Sequence, residues 1–241
     1  MAQERAYRSL MSRGDLVSFR VVVEQTDLWC LAAKDLSRQA RELVLDCRAR
    51  ITGVIDRHPG FAESLTPWET GGPIPSIARR MAQAGAAAGT GPMAAVAGAI
   101  AEFVGMGLME MSADVVVENG GDAFVHVGGG PFTVAVHAGR SPLSGRIGLR
   151  LDCDGQPLAI CTSSGTVGHS LSMGKADAAV VVSRDATLAD AVATAMGNRV
   201  LSPGNVQTAV EFGKNVSGVL GVLVVADESM GAWGDLEIVP L

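Results

Sequence analysis

Aromatic residues and clustered positive charge are both scarce in this sequence. Aromatic residues make up 4% of the 241 positions, and no run of Lys and Arg is longer than two residues. Nucleic acids are held by stacking aromatic rings and by basic patches that meet the phosphates. The formal net charge of −6 also has the wrong sign for that contact. These deficits exclude nucleic acid as an expected partner.

The cysteines lack the spacing of a metal or redox motif, and the N-terminus lacks a secretion signal. Cys30, Cys47, Cys153 and Cys161 form no C-x-x-C pair and have no histidine at zinc-finger spacing. We therefore expect reduced, buried thiols. The first residues, MAQERAYRSLMSRGD, are polar and have no apolar core or small-residue cleavage site. The sequence is thus typical of a cytoplasmic protein.

One stretch, residues 84–101, carries no charge over about the length of a membrane span. It is built largely from Ala and Gly, contains Pro92 and is followed by Glu102. This composition favours a buried helix of a soluble protein over a membrane-spanning helix. We therefore expect no membrane contact.

Small apolar residues are what the sequence has in abundance. Hydrophobic residues make up 48% of the chain, and there are 30 glycines. This is enough apolar surface for a dry core, so we expect a single domain over residues 1–241, with lobes at about 1–88 and 89–241. The apolar helices and the low charge are also compatible with a homodimer.

Strand patterns and helix patterns occur in separate runs, which favours an α+β fold with helices packed on antiparallel sheets. The first half predicts a hairpin at residues 16–33, turning at Gln25-Thr26-Asp27, and helices at 36–57, 75–86 and 92–110. Five short β runs between residues 114 and 165 predict an antiparallel meander. The remainder predicts a strand at 175–182, helices at 187–198 and 202–214, and a closing strand at 218–225.

Three short polar segments interrupt this apolar pattern. They are Glu118-Asn119-Gly120-Gly121-Asp122, Thr162-Ser163-Ser164-Gly165 and Ala189-Asp190-Ala191-Val192-Ala193-Thr194. Paired glycines free backbone N–H groups to face an anion, and a Ser/Thr-rich turn supplies hydroxyl donors for phosphate oxygens. Asp190 and Thr194 are four residues apart, so they share one helix face and could offer oxygen ligands to one Mg²⁺ ion.

Each segment also has a purely structural interpretation. Thr187-x-x-Asp190 resembles a capping box, in which Asp190 would satisfy an N–H group at the start of its own helix. The Asn-Gly-Gly-Asp run is equally typical of a hairpin turn. Ser163 and Ser164 are acceptable as plain turn residues. His169, in the loop after the Ser/Gly turn, is the candidate catalytic residue.

In this order the three segments resemble the motifs of the ApbE-like family, whose characterised members are FAD:protein FMN transferases. In those enzymes a strand ends in an Asn-x-Gly-Gly-acid turn, a Ser-Gly turn follows, and a later helix carries Ala-Asp-Ala-x-x-Thr. The counterparts here are residues 119–122, Ser164-Gly165 and residues 189–194. An Ala/Gly-rich helix precedes the first motif, here at residues 93–98. The resemblance covers residues 90–225 and implies an ApbE-like, T-fold-related architecture.

The resemblance implies FAD or a related nucleotide in the crevice between the Ala/Gly helix and the sheet. Asp190 and Thr194 would hold Mg²⁺, and the backbone at Gly120-Gly121 would lie against the ligand. A hydroxyl of an acceptor protein would attack the FMN phosphorus, and AMP would leave. Two family features are missing here: a Lys in the helix, where this chain has Gly98, and a His-x-x-Asp-Pro segment, of which only His169 remains.

The first hypothesis is therefore a flavin- or nucleotide-binding protein of the ApbE-like superfamily, with Mg²⁺-dependent FMN transfer from FAD as its candidate activity. The alternative is a non-catalytic ligand-binding or interaction protein that kept the scaffold after losing the transfer chemistry.

Overall fold

A computed structural model describes residues 14, 16–69, 71–165 and 174–241. Within this part the strands are β1 (Val17–Val23), β2 (Thr26–Ala32), β3 (Val115–Asn119), β4 (Asp122–His126), β5 (Phe132–Ala135), β6 (Ile147–Leu151), β7 (Leu158–Ser163), β8 (Ala178–Ser183), β9 (Val219–Ala226), β10 (Ser229–Gly234) and β11 (Glu237–Pro240). The helices are α1 (Ser37–Arg57), α2 (Gly60–Glu63), α3 (Ser76–Ala88), α4 (Val96–Met109), α5 (Ala186–Arg199) and α6 (Val206–Lys214).

Most of the strands form one large antiparallel sheet in the order β1-β2-β3-β4-β7-β8-β9-β10. The first hairpin joins this sheet through β2 and β3, where Cys30 pairs with Val117. Strands β1 and β2, which lie in the predicted first lobe, thus belong to the same sheet as the strands of the predicted second lobe. The other strands form a small sheet in the order β11-β6-β5. The prediction of an α+β fold with antiparallel sheets is confirmed.

The large sheet lies between a layer of helices and the small sheet. Its helix side belongs to a core that includes Met81 and Val104, and its other side to a second core that includes Leu149 of β6 and Leu223 of β9. A strand that is covered on both faces needs apolar residues throughout rather than an alternating pattern. This explains the sequence AAVVVS of β8, in which all six residues are buried.

The segment Pro92–Met109 is long and apolar enough to span a membrane, judged by length and composition alone. In the fold it consists of a 3₁₀ turn and α4, which packs against β3 and β4 on one side and against α1 and α5 on others. Ala99, Val104 and Leu108 are fully buried in these contacts. The segment therefore has the packing of a core helix, which is the interpretation that its small residues favour.

The first hairpin turns one residue earlier than the sequence predicts. The turn residues are Glu24 and Gln25, and Glu24 has a left-handed backbone with φ 51°. Thr26 and Asp27, which the sequence assigns to the turn, already pair with Val23 and Val22. The turn therefore needs only two residues, and the strands extend to meet it.

The predicted meander is wrong at β5 and β6. These strands leave the large sheet, so that β4 pairs with β7 instead of β5. They form the small sheet with β11, a strand that the sequence analysis missed together with β10. Local alternation cannot distinguish a strand that joins its neighbour from one that crosses over to cover the sheet's other face.

Gly105 of α4 lies against the ring of Phe124 on β4, which is 2% exposed. A Cβ at this position would overlap the ring, so Gly105→Ala has to push the helix from the sheet or move the ring from its rotamer. We expect urea denaturation to show a loss of about 1–3 kcal/mol in the free energy of unfolding.

Gly53→Ala in α1 is the matched control, because no atom lies within 4 Å of the added Cβ. This change should stabilise the protein by about 0.5–1 kcal/mol through the helix preference of Ala. Equal effects of the two substitutions would contradict the close contact of α4 with the sheet.

Candidate functional site

The first turn of α4 connects two of the three polar segments. On the sheet side, the Asn119 side-chain amide donates to the backbone oxygen of Ala97 at 3.0 Å. On the helix side, the backbone N–H of Gly98 donates to Oδ2 of Asp190 at 2.8 Å. Asn119 and Asp190 are far apart in sequence, yet they hold adjacent residues of one helical turn. The turn motif and the α5 motif therefore meet at the start of α4.

Asp190 does not cap its own helix, so the capping-box interpretation is wrong. The N-cap of α5 is Asp185, whose side chain accepts from the backbone N–H of Leu188 at 2.8 Å. Asp190 lies one turn further along and points at α4. Helix α4 has no side-chain cap of its own, since its N-cap position is Ala95. The carboxyl group of one helix thus accepts from N-terminal N–H groups of the other that have no partner within their own helix.

The Asn-Gly-Gly-Asp run forms a two-residue hairpin turn, as its composition predicts. Asn119 pairs with Asp122, and Gly120 and Gly121 have φ values of 72° and 109°. Both values lie in the region that glycine adopts without steric cost. The N–H of Gly121 donates to Oε1 of Glu118 at 2.8 Å. The buried side chain of Glu118 therefore stabilises this turn through a hydrogen bond within the hairpin.

The end of β7 lies beside this turn. The backbone N–H of Thr162 donates to Oδ1 of Asp122 at 3.3 Å. Ser163 is 7% exposed, and its hydroxyl oxygen is buried without a hydrogen-bond partner in the structure described above. Gly165 continues the chain and donates from its N–H to the backbone oxygen of Ala176 at 2.9 Å. The predicted Thr162-Ser163-Ser164-Gly165 segment is thus next to the Asn-Gly-Gly-Asp turn.

The two carboxyl groups of the site are deeply buried. Asp122 is 6% exposed and Asp190 is 8% exposed. Burial raises the pKa of Asp190 to about 7, although hydrogen bonds from the backbone of Gly98 and Ala97 oppose the shift. Burial and the charge of Asp190 raise the pKa of Asp122 well above its ordinary value. In the part of the chain that the structure describes, neither carboxyl group forms an ion pair with Lys or Arg.

Cys161 completes the polar group between the sheet and α5. Its thiol lies 3.5 Å from the backbone oxygen of Ala186 in the first turn of α5. Burial, followed by the charges of Asp122 and Asp190, raises the pKa of this thiol well above its ordinary value. Cys161 is therefore a protonated hydrogen-bond donor and not a thiolate ligand.

A second polar network, which the sequence analysis missed, holds the start of α5. Glu102 of α4 is 4% exposed, and its Oε2 accepts from the backbone N–H and the hydroxyl of Thr187 at 3.1 and 2.9 Å. Nη2 of Arg80 lies 2.7 Å from the other oxygen of Glu102 and 2.9 Å from Asp185. Burial raises the pKa of Glu102, and Arg80 opposes that shift. The available signal was the charged residue that directly follows the uncharged stretch at residues 84–101.

The remaining predicted site residues have different positions. Thr194 is half-buried, one turn after Asp190 on α5. His169 lies outside the described residues. Among the residues that are described, no group of three or more His, Cys, Asp or Glu side chains could hold a metal ion. Two surface clefts, of about 540 and 310 Å³, are lined by other residues, and none of these is a predicted site residue.

The arrangement of the layers matches solved structures of ApbE proteins. The flavinyl transferase ApbE of Pseudomonas stutzeri, in its apo form, superposes with a TM-score of 0.57 at 13% identity, covering 92% of this chain and 96% of that one. The ApbE protein of Thermotoga maritima gives 0.53 at 15% identity, with coverage of 92% and 96%. The fold is therefore that of the ApbE flavin transferases.

A family model described as "AbpE bacteria" matches residues 8–226, and the chain belongs to this family. The chain is also similar to the UPF0280 protein of Methanocella arvoryzae, with 37% identity over 215 residues, 89% of this chain and 87% of the relative.

Gly98 departs from the transferase pattern for a visible steric reason. A Cβ at this position would overlap the backbone oxygen of Ala186 and lie 2.8 Å from the Cβ of Asp190. No side chain fits there while α4 and α5 keep their spacing. The close approach that excludes a Lys is the same one that brings the Gly98 N–H to Asp190.

The raised pKa of Asp190 predicts a pH-dependent stability. The folded protein holds a proton on this carboxyl up to about pH 7, whereas the unfolded chain releases it near the ordinary value of 3.8. The stabilisation is therefore complete below about pH 4 and is lost as the pH rises towards 7. A shift of about three pKa units corresponds to about 4 kcal/mol. In urea denaturation with a chelator present, Asp190→Asn should lose much less stability than the wild type between pH 5 and pH 8.

The control is Asp114→Asn. Asp114 also accepts a backbone N–H, from Gly128 at 2.6 Å, but it lies at the end of the β3–β4 hairpin that is away from the Asn-Gly-Gly-Asp turn. This variant should keep the wild-type pH dependence. If Asp190→Asn loses as much stability as the wild type over the same range, Asp190 does not hold the proton.

Proposed function

We propose that this protein binds FAD, or a related flavin nucleotide, together with Mg²⁺ between the start of α4, the Asn-Gly-Gly-Asp turn and α5, and transfers FMN to a hydroxyl group. The observation that carries the proposal is the buried pair Asp122 and Asp190. These carboxyl groups lie where the family motifs converge, and no described Lys or Arg neutralises them. The ApbE fold and the family membership support the same assignment.

The residues fit a hard cation. Carboxylate and hydroxyl oxygens are the ligands that Mg²⁺ prefers, and Mg²⁺ commonly takes only one or two carboxylates while phosphate and water fill the other positions. Asp190 and Thr194 would be the protein ligands on α5. The absence of a larger acidic cluster among the described residues therefore suits Mg²⁺ with a nucleotide better than a fully protein-bound metal.

The other predicted residues would face the nucleotide. In the proposal, the backbone of Gly120-Gly121 lies against it, with Asn119 and Asp122 fixing the two sides of that turn. Thr162, Ser163 and Ser164 supply hydroxyl groups, and Gly165 supplies backbone. His169, which lies between β7 and β8 in the sequence, is assigned to take the proton of the attacking hydroxyl.

The reaction is a displacement at phosphorus. An acceptor hydroxyl oxygen forms a bond to the FMN phosphorus, the pyrophosphate P–O bond breaks, AMP leaves with the bridging oxygen, and the hydroxyl proton passes to a base. Mg²⁺ supplies charge neutralisation on the phosphate oxygens when it is bound. The protein residues position the nucleotide and exclude water, which is most of what phosphoryl transfer requires from a protein.

The alternative is a non-catalytic protein that binds the nucleotide on the same scaffold. It is favoured by one observation, namely that the α4–α5 contact leaves no space for a cationic side chain at Gly98. In both cases we place the protein in the cytoplasm, which fits four buried cysteines that form no disulfide.

AMP release separates the two functions. With FAD, Mg²⁺ and a hydroxyl acceptor, we expect the purified protein to form AMP, measured by chromatography. Asp190→Asn and Thr194→Val should each lower the rate at least about tenfold because a cation ligand is lost. His169→Gln should retain flavin binding, measured by fluorescence quenching, and lose AMP release.

Asp114→Asn is again the control and should keep full activity. Flavin binding without AMP release in the wild type would contradict transfer and support the alternative function. If the protein neither binds flavin nor forms AMP, both proposals are wrong.

A further inference from the structure

We propose that Asp122 and Ser163 are cation ligands together with Asp190, so that the divalent cation is bridged between the β-sheet and α5. This inference deepens the proposed function, which assigns the cation only to α5. It concerns binding of the cation by the protein alone, before any nucleotide enters.

The backbone connections place the two carboxyl groups at the same point. Asn119 and Asp122 are direct partners across the β3–β4 hairpin, and Asn119 is bonded to Ala97. Asp190 is bonded to the next residue, Gly98. The two acids therefore approach the same helical turn from the sheet and from α5.

Each carboxylate has one oxygen fixed by the protein. Oδ1 of Asp122 accepts from Thr162, and Oδ2 of Asp190 accepts from Gly98. The Cys161 thiol also bonds to Asp122, and the Ala97 backbone also donates to Asp190. These donors orient the carboxyl groups, and because a carboxylate has about four lone-pair sites, others remain for a cation. Metal ligands held by such hydrogen bonds are already oriented before the ion arrives.

Ser163 supplies an independent observation, because its buried hydroxyl oxygen has no hydrogen-bond partner among the residues that the structure describes. Its direction follows from two contacts of the neighbouring residues. Cys161, two residues earlier on the same face of β7, reaches Ala186 at the start of α5. Gly165, just beyond the strand, packs against Gly174, which packs against Gly197 near the end of α5.

Strand β7 and helix α5 therefore run side by side in the same direction. Ser163 lies between Cys161 and Gly165, so its side chain faces the middle of α5, where Asp190 is. A buried hydroxyl with no partner is costly and rare in native proteins. A cation beside the two carboxylates would give this oxygen a partner and would remove the repulsion between the acids.

A purely structural role for Asp122 predicts different behaviour. If Asp122 only accepts the Thr162 N–H, Asp122→Asn keeps an acceptor oxygen and replaces a buried acid by an amide, so it should change stability by the same amount with and without a cation. If Asp122 is a ligand, removing its charge should stabilise the cation-free protein and abolish the stabilisation that the cation provides. A stabilising effect of Asp122→Asn without the cation, together with the loss of stabilisation by the cation, would identify Asp122 as a ligand.

The experiment uses the full chain without nucleotide and Mn²⁺ as the probe, because Mn²⁺ accepts the same oxygen ligands as Mg²⁺. Free Mn²⁺ is followed by electron paramagnetic resonance, and the midpoint of urea unfolding is measured with a chelator and with saturating Mn²⁺. We expect one bound ion in the wild type. Asp122→Asn should weaken binding at least about tenfold and Ser163→Ala less strongly, while Asp114→Asn should bind as the wild type does.

Ser163→Ala keeps the inference testable if Asp122→Asn does not fold, because it removes only a hydroxyl that has no partner in the described part of the chain. Mn²⁺ binding at wild-type strength in Asp122→Asn or in Ser163→Ala would overturn the assignment of that residue. If only Asp190→Asn weakens binding, the cation belongs to α5 alone, and the proposed function stands without this inference.

A wild-type protein that binds no Mn²⁺ yet releases AMP from FAD with Mg²⁺ would likewise overturn the inference and leave the function intact. If the wild type binds no Mn²⁺ and releases no AMP, the inference and the proposed transfer are both wrong.

Discussion

The hydrogen bond from Gly98 to Asp190 is the contact on which the arrangement of the site depends. It joins the positive end of α4 to a carboxylate buried in the middle of α5, and it requires a residue without a side chain at position 98. A carboxylate at such a position is favoured by the helix dipole and disfavoured by burial. The balance leaves the pKa of Asp190 at about 7, so its charge responds to small changes in its surroundings.

The layers of the fold explain how these groups are kept in place. The large sheet is covered on both faces, so the β3–β4 turn and the end of β7 project from strands that are held by two separate cores. The first turn of α4 is then fixed from the sheet by Asn119 and from α5 by Asp190. Polar groups from three distant parts of the chain are thus positioned mainly by apolar packing, with short backbone hydrogen bonds setting their direction.

Local signals in the sequence were sufficient for the elements and for the motifs. Periodicity located most strands and helices, and the Asn-Gly-Gly-Asp run was correctly read as a hairpin turn. Local signals do not show which strand or helix each element pairs with or packs against. Strands β5 and β6 leave for a second sheet, and β6 pairs with β11 there. This arrangement depends on the apolar face of the large sheet that the helices leave uncovered. The partner of Asp190 lies 92 residues away, so spacing within α5 pointed to a cap on the wrong helix.

The ion pair of Arg80 with Glu102 has a consequence for how the two halves of the chain depend on each other. Arg80 lies on α3, whereas Glu102 lies on α4 and its partner Thr187 on α5. A protein cut between α3 and α4 would leave the Glu102 carboxylate in an apolar interior without its guanidinium, and the second half would also lose the strand that pairs with β3. The halves are therefore poor candidates for separate expression, and the chain should melt in one cooperative step.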